Sequence, residues 1–333
     1  MSSSTSGPLG PFIPAARDHP RLVARGLTDP DSMEGVVWPA FRADVAPWAT
    51  LDYEQDVSAG RLLSAVSAAG SAARPDLVIV SDPALFDRAG LVEPFVVPEA
   101  EAFPRGWLDE HSRWFPIYVQ PIVAIHNAHR AAPPRSWDEL AATAPARLVL
   151  DDPARMLTSG PALAELSVAL DQRRWDGLLD VIAERDTLLV ADNERAVLEV
   201  STGSRWAGLA NWNVARRIRP GSPVRHVFLQ PTPCVPGFGV LLRDARAEPL
   251  ARLFLAWLAS PAGQGAYAAS GRIPARPDVD ARPSIATVLP HGVEPLYGGV
   301  PWLTDSDAWA ARFRDRIPAV RDGAREGKIR RPA

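Results

Sequence analysis

Two long apolar runs, each broken by prolines, constrain this chain more than any other feature. WFPIYVQPIVAIHN at 114–127 and PTPCVPGFGVLL at 231–242 lie comparably far from the two ends of a 333-residue sequence. Neither suits a single α-helix, because an interior proline removes a backbone donor and clashes with the preceding turn. Neither crosses a bilayer, since the uncharged stretches around them, 114–129 and 226–242, are proline-broken and shorter than the ~20 residues of a span. Strands that enter and leave a bend fit both runs. The chain is therefore expected to cross from one unit to another at the first run and to return at the second.

The stretches between these runs alternate strand and helix. Leu22 to Leu27 reads as a strand, and Thr28-Asp29-Pro30-Asp31 then supplies an N-cap, an early proline and an acidic first turn before Val36, Val37, Ala40 and Phe41. Leu51 to Gln55 followed by a helix opening at Ser58, and Leu77 to Val80 followed by Ser81-Asp82-Pro83, repeat the pattern. After the first run the rhythm restarts, with a short helix from Trp137, a strand at Arg147 to Leu150, and Thr158-Ser159-Gly160-Pro161 leading into Leu163, Leu166 and Leu170. Leu250, Leu253, Phe254, Trp257 and Leu258 form the stripe of an amphipathic helix. The class is α/β, and a length of 333 residues favours two domains. Residues 1–19 mix Ser, Gly and Pro without periodicity and read as a flexible arm.

Composition narrows the partners. Hydrophobic residues are 47% and charged residues 23%, enough apolar surface to offset chain entropy, which excludes wholesale disorder. With 36 basic against 39 acidic side chains no sequence-wide field attracts polyanions, so nucleic acid is not an expected partner. Cys234 stands alone and cannot form an internal disulfide. The N-terminus lacks a basic region followed by an apolar core, so as written it reads as cytoplasmic; a true start bearing an export signal would make it periplasmic or otherwise extracytoplasmic.

The catalytic motifs that announce hydrolases, metalloproteases, nucleotide binders and calcium loops do not occur. Cys234 reads as an ordinary buried thiol. His126 and His129 straddle a strand end where helical spacing does not apply, and Asp151-Asp152 suits a cap on the following turn, so no metal and no cofactor is expected. What remains is a set of small residues at predicted helix starts, Thr28, Ser58, Ser81 and Ser159-Gly160, at the carboxyl ends of strands, where open α/β sheets bind ligands. Each alone is an N-cap; together they point to a polar or anionic ligand.

Several blocks, PDLVIVSDPALF, the two proline-broken runs, SWDEL, RLVLDDPARMLTSGPALAEL and EPLARLFLAWLASPAGQGAYAASGRIPARPDV, resemble, in order, the extracellular solute-binding proteins of ABC transporters. The nearest branch holds ferric-iron, thiamine and aminoalkylphosphonate binders. The resemblance implies a two-lobed, type II periplasmic-binding-protein-like fold with two hinge crossovers: lobe one 20–118 plus 238–333, lobe two 119–237. It places the ligand cleft at Thr28, at Ser81 and Asp82, at Tyr118 and Gln120, at Ser159 and Gly160, and at Asn211, Trp212 and Asn213, with Trp212 either a stacking wall or core. Ferric binders carry an adjacent tyrosine pair near EVSTGSRWAGLANWNVARR, and this chain has no Tyr-Tyr, which favours a small organic ligand over iron. The expected partners are that solute and, if the chain is exported, an ABC permease, with the protein a monomer. The alternatives are a cytoplasmic lyase or isomerase on the same scaffold, with Asp82 or His226 as general base, or an intracellular ligand sensor.

Overall fold

A computed structural model describes residues 20–56, 59–69, 74–104, 106–143, 148–184, 187–297 and 299–317. Ser58 and residues 1–19 lie outside the described residues. Strand β1 (Arg21–Gly26) leads into a helical run made of α1 (Pro30–Ser32), a π-helical turn (Met33–Val37) and α2 (Trp38–Asp44). Strand β2 (Thr50–Gln55), α3 (Ala59–Ala68), β3 (Leu77–Val80) and α4 (Ala84–Arg88) follow. Then come β4 (Phe115–Asn127), α5 (Trp137–Thr143), β5 (Leu148–Asp151), α6 (Ser159–Ala169), α7 (Gln172–Glu184), β6 (Leu188–Val190), α8 (Asn193–Ser201), β7 (Ala207–Asn211), α9 (Trp212–Ala215) and β8 (Val224–Val227). The chain returns through β9 (Thr232–Leu241) to α10 (Glu248–Ala259), α11 (Pro261–Ala269), β10 (Ile273–Pro274), α12 (Ile285–Val288), β11 (Pro295–Leu296) and α13 (Ser306–Arg316). Among the described residues no helix is long and apolar enough to cross a membrane.

The two proline-broken runs are the strands β4 and β9, and they pair with each other antiparallel. Their ladder shifts register between Pro116 and Tyr118, where a proline lacks the N–H a regular ladder would need. Beyond β9, one half of the sheet runs β2-β1-β3, with β1 parallel to both neighbours and β3 antiparallel to β9. Beyond β4, the other half runs β7-β5-β6, with β5 parallel to both neighbours. Strand β4 thus pairs with β9 through Pro121 and with β7 from Ile122 onward. The crossing positions expected from the sequence, 118 and 237, face one another as the pair Tyr118 and Gly237. Gly237 is required there, because a Cβ would overlap the Tyr118 ring.

Helix α13 falls within the 238–333 expected for lobe one, and it lies against α6 and α7, which fall within the 119–237 expected for lobe two. Arg312 sits over the Trp175 ring at 4.3 Å, and Arg316 pairs with Asp180 at 2.8 Å. The same segment holds lobe one as well: Trp302 Nε1 donates to the Ser81 carbonyl at 3.3 Å, and Arg88 reaches Ser306 at 2.7 Å and Asp307 at 3.0 Å. It is a strap across both lobes. Trp302 is fully buried, so its indole anchors the strap by apolar burial as well as by that hydrogen bond.

Candidate functional site

Parallel strands present their carboxyl ends on one edge, and the loops leaving them meet there. In lobe one these loops bring Leu27 and Asp29 after β1, Gln55 at the end of β2, and Ser81 after β3 to one cavity. In lobe two they bring Leu157 and Thr158 after β5, Asp192 to Glu194 after β6, and Asn211, Asn213, Val214 and Arg217 after β7. Gln120, on the crossover strand β4, and Arg272, just before β10, complete the lining. The space between these residues, partly open to solvent, is about 90 Å³. That is well below the roughly 300 Å³ at which ligand pockets begin, so the two walls of the cleft stand close together.

The arginine floor is built by the block SPAGQGAYAASGRIPAR. Ser260 caps α11, and Gln264 is buried with its amide fully used: Nε2 donates to the carbonyls of Ile117 and Leu258 at 2.8 Å, while Oε1 accepts from Ala275 N at 2.8 Å and Arg276 N at 3.1 Å. These bonds tie β10 to β4, where Ile273 pairs with Val119. Arg272 is thereby held with its guanidinium 4.7 Å from the Tyr118 ring centre. Tyr118 in turn stacks on Tyr267 at 5.5 Å. The Arg272 side chain is 6% exposed, and its Nε has no hydrogen-bond partner among the described residues.

Two guanidinium groups converge on one carboxylate, and a third lies beside them. Asp29 Oδ2 accepts from Arg217 at 3.0 Å and Arg272 at 2.9 Å, and Asp29 also caps Ser32 N at 2.9 Å. Arg216 lies against Gly271, where a Cβ would overlap its guanidinium, and over the Trp212 ring at 5.3 Å. Burial tends to raise the Asp29 pKa, but Arg272, Arg217 and Ser32 hold the carboxyl well below the usual range. Burial and the charges of Arg217 and Arg272 lower the Arg216 pKa, so positive charge is concentrated at this end of the cavity. Asp192, whose carboxylate caps Arg195 N, and Glu194 stand on the lobe-two wall.

Of the residues singled out by sequence, Ser81, Gln120, Asn211 and Asn213 line the cavity together. Asn213 Nδ2 lies 3.4 Å from Gln120 Oε1, and its own Oδ1 has no partner among the described residues. Asn211 caps α9 through Val214 N at 3.0 Å. The others sit behind it. Thr28 is fully buried, accepting from Tyr53 Oη at 2.6 Å on its carbonyl, with its hydroxyl 3.4 Å from Tyr267 Oη; it fixes the loop that carries Asp29. Tyr118 supports Arg272 from below. Ser159 is consumed by Asp151, whose buried carboxylate accepts from Ser159 N, Thr158 N and the Ser159 hydroxyl. Gly160 is a glycine because a Cβ would overlap the Pro153 carbonyl. Trp212 packs on the core and carries Arg216.

Asp82 is buried away from the cavity toward Ser306 and Arg88, its carboxyl pushed up to about 6 by burial. His226 lies on β8 beside Phe228, its pKa lowered by burial. Neither candidate base lines the cleft. Sequence reasoning missed Asp29, Arg217 and Arg272. Arg272 stands within the SGRIPAR stretch, and Asp29 reads in the sequence only as part of a cap.

Two comparisons with known proteins match. The family model of the bacterial extracellular solute-binding proteins matches residues 48–272. Among solved structures, the substrate binding protein of an ABC transporter from Agrobacterium tumefaciens is 15% identical, with a TM-score of 0.70 over 91% of this chain and 95% of that one. The periplasmic binding protein AfuA from Actinobacillus pleuropneumoniae, with fructose-6-phosphate bound, is 14% identical, with a TM-score of 0.73 over 89% and 98%. Iron-bound HitA from Pseudomonas aeruginosa is 15% identical, with a TM-score of 0.68 over 90% and 99%. At these identities the likeness shows the type II periplasmic-binding-protein fold. No curated protein matches by sequence.

Proposed function

The chain belongs to the bacterial extracellular solute-binding protein family, and we propose that it binds a small anionic organic solute in the interlobe cleft for delivery to an ABC permease outside the cytoplasmic membrane. The observation that carries this reading is the convergence of Arg217 and Arg272, with Arg216 beside them, at one end of a cavity whose remaining polar lining is amides, hydroxyls and the carboxylates of Asp29, Asp192 and Glu194. Guanidinium groups recognise carboxylate and phosphate oxygens through paired N–H donors, and burial strengthens each bond. Gln55, Ser81, Gln120, Asn211 and Asn213 then hydrogen-bond the polar body of the solute. Ligand that touches both lobes favours the closed state only by the contacts that state adds, and closure is what a transporter reads.

Iron held by phenolates suits this cleft poorly. No tyrosine among the described residues lines it, and burial raises the pKa of Tyr53, Tyr118 and Tyr267, disfavouring their ionised forms. The sugar phosphate carried by AfuA is a solute of the proposed chemical class. A thermal-shift screen of sugar phosphates, phosphonates, carboxylates, thiamine derivatives, polyamines and ferric iron tests the reading. An organic anion raising the melting temperature is expected, because ligand bound only to the native state stabilises it. Stabilisation by polyamines or iron alone would refute it.

A further inference from the structure

We propose that Asp29 is a built-in occupant of the cleft, whose carboxylate closes the unliganded lobes by taking the guanidinium groups that a solute's anion takes in the loaded protein. The inference rests on the anionic-solute reading. It adds that Arg217 and Arg272 are already paired from within, and that a solute must compete with Asp29 for them.

The geometry is that of a carboxylate ligand. One oxygen of Asp29 accepts from Arg217 at 3.0 Å and from Arg272 at 2.9 Å, and these two arginines come from opposite lobes. The carboxylate is held in place, since Ser32 donates to it from both its backbone N, at 2.9 Å, and its hydroxyl, at 3.0 Å. The Thr28 carbonyl just before it is pinned by Tyr53. Arg272 is buried on Tyr118 and cannot swing away, whereas the Arg217 side chain is 52% exposed and free to follow its lobe. With the pair made, only about 90 Å³ is left beside it, too little for an organic solute. Entry therefore requires that the Asp29 to Arg217 contact part. The consequence is a threshold: an anion is captured only if it satisfies the arginines better than Asp29 does.

The alternative, that the pair is a latch which ligand reinforces, predicts the opposite effect on affinity. Asp29→Asn separates them, because asparagine keeps the cap on Ser32 while removing the charge. Arg217→Gln breaks the same contact from the exposed side, and serves where loss of the Arg272 partner impairs folding. Fluorophores on Ser67→Cys of lobe one and Arg173→Cys of lobe two, both exposed in a protein whose native Cys234 is buried, report the lobe separation without ligand. Expected are a predominantly closed population in the otherwise unaltered protein and a longer separation in both variants at an unchanged fold by circular dichroism. With inorganic phosphate as probe, Asp29→Asn should bind at least about fivefold more tightly, a coupling of ordinary size for linked equilibria. An unliganded separation indifferent to both substitutions, or weaker phosphate binding by Asp29→Asn, overturns the proposal. Phosphate that binds neither form, while the lobes still part in the variants, refutes the anionic-solute reading and not the self-closure.

Discussion

Glu165 offers the sharpest quantitative test of how α6 packs. It lies on that helix, is fully buried, and neither carboxyl oxygen has a hydrogen-bond partner among the described residues. Burial alone pushes its pKa up to about 9. The unfolded chain releases this proton near pH 4.3, so between those values the folded state binds one proton more than the unfolded state. Stability then falls as pH rises, by about 1.4 kcal/mol per unit for this group. From pH 5 to pH 8 the loss is about 4 kcal/mol, a large share of the 5–15 kcal/mol that holds a typical domain together. Glu165→Gln removes the titration and keeps the shape. Urea unfolding of both proteins at pH 5, 6, 7 and 8 should show the variant gaining about 1.4 kcal/mol per pH unit relative to the native protein. Any fixed penalty for the buried amide shifts all four differences equally, and groups common to both proteins cancel. A difference that stays flat across the range would mean that Glu165 is ionised or hydrated, and that α6 is not packed dry around it.

Other substitutions divide support from binding. Ser159→Ala should cost about 1–3 kcal/mol by stripping a donor from the buried Asp151, yet leave solute affinity unchanged, as chemical denaturation and calorimetry on one preparation would show. Gly237→Ala should destabilise by about 1–3 kcal/mol, because the new methyl meets the Tyr118 ring at the crossover; an unaltered urea midpoint would contradict this. Trp302→Phe should lose about 1 kcal/mol with the hydrogen bond to the Ser81 carbonyl and speed proteolysis of the C-terminal strap, read by limited trypsin digestion.

The sequence carried much of the fold because proline-broken apolar runs have few solutions. β4 and β9 follow from WFPIYVQPIVAIHN and PTPCVPGFGVLL with bounds within a residue or so, and α10 follows from its stripe. α6 was harder. Leu163, Leu166 and Leu170 suggest one buried face, yet Ser159 through Leu166 are all buried, because the strap from Pro301 to Arg316 covers the side a two-layer fold would leave wet. No local pattern announces that a distant C-terminal helix returns across both lobes. The site was half legible for a related reason. Hydroxyls at helix starts mark the loops that face the cleft, but whether Ser159 points at a solute or at Asp151 depends on the neighbouring strand end. Arginines are abundant in this chain, so Arg217 and Arg272 do not stand out until the fold brings them to one carboxylate from positions 55 residues apart.

A crystal structure with the organic anion selected by thermal shift tests the central claim most directly. Its charged group should lie within hydrogen-bonding distance of the Arg217 and Arg272 guanidinium groups, with Asp29 displaced from Arg217 and the solute's body against Gln120 and Asn213. A solute seated elsewhere, such as the cavity of about 720 Å³ lined by Trp107, Val119 and Tyr297, with the Asp29 pair undisturbed, would contradict it.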